Sequence, residues 1–95
     1  MSPTEFKRSL THQAPPPGLP PALAALWWAA KGDWDKAHAL VMNDGSPDAA
    51  WVHAHLHRVE GDLDNARYWY AQAGRVMGPS TLEVEWQDIV TTLAS

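Results

Sequence analysis

The stretches KGDWDKA, residues 31–37, and EGDLDNA, residues 60–66, carry one pattern twice. In both, Gly is followed by Asp, a large apolar residue, a second Asp and, two positions later, Ala. Glycine permits a tight turn, and an Asp that follows it can accept hydrogen bonds from the first amides of a helix. The pattern therefore predicts the same helix–turn–helix junction at two places in the chain.

Apolar residues recur three or four positions apart on both sides of each junction, which is typical of helices packed along one face. Because the linking turns are short, each pair of helices is expected to be antiparallel. We predict helices at residues 20–31, after Asp33, at residues 47–60 and after Asp62. The sequence thus predicts an all-α fold with two tandem antiparallel hairpins.

The two ends of the chain have different patterns. Near the C-terminus, Ser80 and Glu83 match a capping box, and the amphipathic helix that follows is expected to cap the hairpins. Near the N-terminus, five of the eight prolines lie between residues 15 and 21. We therefore predict a flexible proline-rich arm at residues 1–18 and a helical domain at residues 19–95, with apolar residues around Phe6 available to pack back on the domain.

Composition narrows the classes of function. The net charge is −4 and the chain has only seven Lys and Arg, which is unfavourable for phosphate binding, so no nucleic-acid partner is expected. No stretch has the length and apolarity of a signal peptide or a membrane span, so we expect a cytoplasmic protein without a membrane partner. The absence of cysteine removes disulfides and thiolate ligands, and no phosphate or dinucleotide loop is present. No cofactor is predicted, and catalysis is the less expected activity.

The double pattern resembles the tetratricopeptide repeat, in which Gly, an aromatic residue and Ala occupy these turn and second-helix positions. ARYWYAQA, residues 66–73, is similar to the Sel1-like variant of that repeat. Residues 51–75 also resemble a segment of small bacterial proteins, a likeness that brings no function with it.

The repeat resemblance implies protein or peptide binding in a groove lined by the first helix of each hairpin. Transferred position by position, it puts Trp51, His55 and Arg58 on this groove, together with Ala22 and Leu26 of the preceding hairpin. An aromatic residue beside Arg is typical of a binding hot spot.

Tryptophan is unusually abundant, with six residues in a chain of 95. One small core is not expected to bury six such large side chains. Trp27 and Trp28 are adjacent, so on a helix they point about 100° apart and one of them should face outward. The first functional hypothesis is therefore a non-catalytic module that binds a protein or peptide, or self-associates as a homodimer through an aromatic seam.

Histidine is concentrated in HAHLHRVE, residues 53–60. His53 and His57 are four apart on one helix face, and with Glu60 as a third ligand they can chelate Zn²⁺, although the order differs from HExxH. A structural interpretation places both imidazoles on the packed side, hydrogen-bonded to Tyr70 or Asn65.

The second functional hypothesis is a small-molecule or metal-binding protein centred on this helix. An enzyme is one form of this hypothesis. Its polar site comprises His53, His57, Arg58, Glu60 and Tyr68, and His38 joins it if the hairpins stack closely. The two hypotheses differ in an observable way. The interaction module predicts exposed contiguous tryptophans and fully hydrogen-bonded histidines, whereas the site predicts imidazole nitrogens that are free and point together.

Overall fold

The computed structural model describes residues 1–94, and over that range the chain is all-helical, which confirms the predicted fold class. The helices are α1 (Pro3–Ser9), α2 (Pro21–Ala30), α3 (Trp34–Val41), α4 (Pro47–Val59), α5 (Leu63–Gln72) and α6 (Leu82–Leu93). Within the described residues, none of these helices is both long and apolar enough to cross a bilayer.

The two Gly-Asp junctions have the same backbone geometry. Gly32 and Gly61 have φ of +80° and +86°, in the left-handed region that favours glycine. The amides of Asp33 and Asp62 donate to the carbonyl five residues earlier, at 3.0 and 2.9 Å, which closes a Schellman motif at the end of α2 and of α4. Each Asp side chain then accepts from the amide three residues later, at 3.1 and 3.3 Å, and so begins α3 or α5. The repeated sequence thus produces a repeated turn.

Helix α4 is the central element of the fold. It packs against α2, α3, α5 and α6, and every residue from Ala49 to His57 is buried. Its start follows the predicted signals, since Ser46 accepts from the amide of Ala49 and Pro47 is the first helical residue. Because α4 is enclosed on several sides, its polar side chains must find partners inside the protein.

Helix α6 covers α4 and α2. The indole Nε1 of Trp86 donates to the carbonyl of Leu26 at 2.9 Å, which ties α6 to α2. The N-cap of α6 is Thr81, whose hydroxyl accepts from the amide of Val84, so the predicted cap at Ser80 was wrong by one residue. Ser80 instead offers its carbonyl to the guanidinium of Arg58.

The N-terminal segment contains a helix that the sequence analysis did not predict. Ser2 and Glu5 form a capping box at the start of α1, and Pro3 is its first residue. Phe6 is fully buried in the core, and the Ser9 hydroxyl accepts from the indole of Trp27 at 3.0 Å. Part of residues 1–18 is therefore built into the folded domain.

None of the six tryptophans is exposed. The indole nitrogens of Trp27, Trp34 and Trp86 donate hydrogen bonds within the chain, and the rings of Trp28, Trp51 and Trp69 lie against Lys36, Arg75 and His53. The homodimer stays a prediction, but the exposed aromatic seam from which we inferred it is not present on this surface.

Candidate metal centre

Three imidazoles meet where α3 packs on α4. His38 comes from α3, and His53 and His57 lie one turn apart on α4. One ring nitrogen of each lies within 4.8 Å of the other two. The closest approach joins Nε2 of His38 and Nε2 of His53, at 3.1 Å. We call these residues the three-histidine cluster.

The spacing within the three-histidine cluster is close to what a tetrahedral ion needs. Nitrogens bound at 2.0–2.1 Å to a tetrahedral Zn²⁺ lie about 3.3 Å from one another. The 3.1 Å between His38 and His53 is near this value, and the nitrogen that His57 offers lies within 4.8 Å of those of the other two.

Glu60 has a different position from the one that we predicted. Its Oε1 lies 2.6 Å from Nδ1 of His57, so the carboxylate accepts a hydrogen bond from the imidazole. This hydrogen bond leaves Nε2 as the nitrogen of His57 that is available for a metal. Metal-bound histidines almost always have such a partner, because the second hydrogen bond fixes the tautomer and the ring orientation. Glu60 therefore orients a candidate ligand rather than serving as the third one.

Two indole rings stack on imidazoles of the three-histidine cluster. Trp34 stacks on His38 with ring centroids 4.7 Å apart, and Trp69 stacks on His53 at 4.0 Å, with interplanar angles of 11° and 17°. The Trp34 ring is itself fixed, since its Nε1 donates to the carbonyl of Leu56 at 2.7 Å. The cluster is thus preorganised by packing.

The environment keeps His53 and His38 neutral at pH 7. Burial, together with the nearby charges that His57 and His38 can carry, lowers the pKa of His53 to about 4. Burial and His57 also lower the pKa of His38, against the opposing effect of Glu60 and Asp35. Neutral imidazole is the form that binds metals.

The three-histidine cluster is not a fully satisfied structural network. The two facing Nε2 atoms share a single hydrogen bond, and Nδ1 of His53 is buried without a hydrogen-bond partner among the described residues. Of the two predicted partners, Tyr70 and Asn65, Tyr70 donates to Glu85 instead. Buried polar atoms usually have partners, so a purely structural network does not explain this nitrogen.

A second buried polar cluster centres on Glu85 of α6. Its Oε1 accepts from Nδ1 of His55 at 2.6 Å and lies 3.4 Å from Nη1 of Arg58, and its Oε2 accepts from the Tyr70 hydroxyl. Burial alone would raise the pKa of Glu85, but the hydrogen bonds from His55 and Tyr70 and the charge of Arg58 outweigh it and leave the pKa lowered. For Tyr70, burial and the same carboxylate raise the pKa. Both carboxylate oxygens are in use, so this cluster joins α4, α5 and α6 rather than offering a site.

The residues predicted to line a groove are covered. Leu26, His55 and Arg58 contact Trp86, Glu85 and Ser80, which belong to α6 or its lead-in. Trp51 is buried, with the guanidinium carbon of Arg75 at 3.4 Å from its ring centroid, and Ala22 is buried as well. Leu26, His55 and Arg58 thus lie beneath α6 and its lead-in, on the surface that the resemblance assigned to a partner.

The predicted polar site is divided in the structure. His53, His57 and Glu60 are in or beside the three-histidine cluster, whereas Arg58 belongs to the Glu85 cluster. Tyr68 is 57% exposed and meets Trp69 edge-on. The sequence contained a direct signal for His53 and His57 only.

No family model, curated protein or solved structure matches this chain. The chemistry available to the three-histidine cluster is ligation of a transition metal, since imidazole nitrogen suits Zn²⁺, Cu²⁺, Ni²⁺ and Fe²⁺.

Proposed function

We propose that this protein binds a divalent transition-metal ion, with Zn²⁺ as the first candidate, through His38, His53 and His57. The observation that carries the proposal is the convergence of three imidazole nitrogens at the contact between α3 and α4. Two ligands come from one helix and the third from its neighbour, so a bound ion links the two helices.

Three further features support a metal rather than a purely structural role. Glu60 holds His57 in the orientation that a ligand needs. The low proton affinity of His53 leaves its imidazole free to bind a cation at neutral pH. The stacked rings of Trp34 and Trp69 limit the rotation of two ligands, which lowers the entropy lost on binding.

The distribution of exposed groups also favours this function over the interaction module. Free imidazole nitrogens that point together were the feature expected of a site, and exposed contiguous tryptophan was the feature expected of a binding surface. The tryptophans are not exposed, and Leu26 and His55 of the predicted groove lie beneath α6.

The direct test is the affinity of the purified chain for Zn²⁺, measured by competition with a chromophoric chelator. We expect one ion per chain in native mass spectrometry. Replacing one ligand, as in His38→Gln or His53→Gln, should weaken binding by about 100-fold or more, because a two-histidine remnant is a poor zinc site. His12→Gln is the matched control, since His12 is exposed and outside the cluster.

Circular dichroism of each metal-free variant separates loss of a ligand from loss of the fold. Affinity that falls in the folded His38→Gln variant and not in His12→Gln supports the proposal. Zinc binding no tighter in the natural chain than in folded His38→Gln would overturn it.

A further inference from the structure

We infer that the ion at the three-histidine cluster keeps one coordination position open and fills it with a small anion or water from solution. The inference rests on the proposed metal site and adds a second ligand class to it. The ligand class is a small monodentate anion, of which azide and a simple carboxylate are examples.

The number of protein ligands is the first argument. Zn²⁺ and Co²⁺ sites built from imidazole are commonly four-coordinate, and catalytic zinc sites use three protein ligands and an external one. Among the described residues, no fourth His, Asp or Glu joins the group formed by His38, His53 and His57. One position is therefore left for a molecule from solution.

The nearest carboxylates are already engaged. Oε1 of Glu60 is bonded to Nδ1 of His57 at 2.6 Å. Asp62 groups with His57 and Glu60 but not with the other two histidines, and its Oδ1 accepts from the amide of Asn65 at the start of α5. In these positions neither carboxylate belongs to the group formed by His38, His53 and His57.

The charge at the site selects an anion. Three neutral imidazoles do not compensate the 2+ charge of the ion, and the carboxylates of Glu60 and Asp35, which act on the cluster, are outside the group of three ligands. Aromatic side chains line the cluster through Trp34 and Trp69, and an apolar wall strengthens the attraction between an ion and an anion.

Solution has access to the cluster. His38 is half-buried, and the side chain of Glu60 is 39% exposed. The site therefore lies at the edge of the α3–α4 contact and not in the sealed core that encloses Leu56 and Val52. A small anion can reach the ion without unfolding a helix.

The experiment uses the full chain loaded with Co²⁺, whose visible absorption reports coordination number and ligand type, and titrates it with azide. We expect a change in the cobalt bands that saturates at one azide per Co²⁺. Co²⁺-loaded His12→Gln is the matched control and should show the same response, since His12 is exposed and outside the cluster. Co²⁺-loaded Glu60→Gln tests whether the carboxylate itself fills the fourth position.

The outcomes separate the two proposals. Failure of the chain to take up Co²⁺ and Zn²⁺ would overturn the metal site itself. Uptake of Co²⁺ with a spectrum that azide leaves unchanged would keep the metal site and overturn the open position. A response to azide that appears only in Glu60→Gln would also overturn it, because that result makes the carboxylate of Glu60 the fourth ligand.

Discussion

The indole of Trp69 lies almost parallel to the imidazole of His53, with ring centroids 4.0 Å apart and an angle of 17° between the planes. The contact joins α5 to a histidine of α4 that also faces His38 of α3. One imidazole thus lies between an aromatic ring on one side and a candidate metal position at its Nε2 edge. This arrangement places a fluorescent group beside the proposed ion.

Tryptophan emission should therefore report metal binding. Cu²⁺ binds imidazole sites more tightly than Zn²⁺ and quenches indoles at short range. Two of the six indoles, those of Trp34 and Trp69, stack on cluster histidines, so we expect Cu²⁺ to quench a substantial part of the emission at one ion per chain. In Trp69→Phe the quenched part should be smaller. Equal quenching in folded His38→Gln would show that Cu²⁺ binds elsewhere.

The hydroxyl of Tyr70 should contribute more to stability than that of Tyr68. Tyr70 is 2% exposed and donates to the carboxylate of Glu85, whereas Tyr68 is 57% exposed. Hydrogen bonds to charged groups contribute roughly 1.5–3 kcal/mol, so Tyr70→Phe should lower the free energy of unfolding by about 2 kcal/mol. Urea denaturation measures this value. Tyr68→Phe is the matched control and should change it by less than about 0.5 kcal/mol; equal effects of the two substitutions would contradict the assignment.

Glu85 should make stability depend on acid pH. Its pKa is lower in the folded chain than the ordinary value of 4.5, so the folded state binds fewer protons than the unfolded state in this range. The contribution is fully present above about pH 4.5 and is lost as the pH falls through the folded pKa.

Glu85→Gln isolates this contribution. It should lower the free energy of unfolding by about 3 kcal/mol at pH 7, because it leaves Arg58 and His55 without their carboxylate. The difference from the natural chain should shrink as the pH falls below 4.5, which denaturation at a series of pH values would measure. A constant difference across this range would be inconsistent with a lowered pKa.

The repeated turn makes a backbone prediction. Gly61 has φ of +86°, and a Cβ added there would meet no atom within 4 Å, so only backbone strain opposes a side chain. Gly61→Ala should lower the free energy of unfolding by about 1–2 kcal/mol. Gly45 is a matched control, since it also has open space around it and has no positive φ. Thermal denaturation should show Gly45→Ala to be neutral or slightly stabilising, and a similar loss at both positions would argue against the left-handed turn.

Local features of the fold were predictable from the sequence because their causes are local. The Gly-Asp pattern at Gly32 and Gly61 acts through φ and a side-chain cap, both of which depend on a few neighbouring residues. Helix α1 had an equally local signal, a capping box formed by Ser2 and Glu5, which the proline-rich character of the segment obscured.

The candidate site was only half predictable. The spacing of His53 and His57 on one helix indicated a shared face, but the approach of His38 depends on how α3 packs on α4. The role of Glu60 depends on its rotamer, which directs the carboxylate to Nδ1 of His57. Such distances arise from packing between helices, and periodicity in the sequence does not contain them.

The sequence predicted the helix α6 but not its position over the groove, for a related reason. The amphipathic pattern of residues 82–93 indicated a helix that packs its apolar side against the rest of the protein. The pattern did not indicate on which face of the hairpins this helix packs. Glu85 contacts His55 and Arg58 on α4, and Trp86 donates a hydrogen bond to the carbonyl of Leu26. Helix α6 therefore occupies the face assigned to a partner.

The central claim is that three histidines bind one metal ion, and X-ray absorption at the zinc edge of the Zn²⁺-loaded chain tests it most directly. The structure leads us to expect three imidazole nitrogens at about 2.0–2.1 Å, with the outer-ring scattering that identifies histidine, and one external oxygen or nitrogen ligand. In His38→Gln the fitted number of imidazoles should fall to two. A first shell of oxygen atoms without imidazole scattering, or a shell unchanged in His38→Gln, would contradict the three-histidine site.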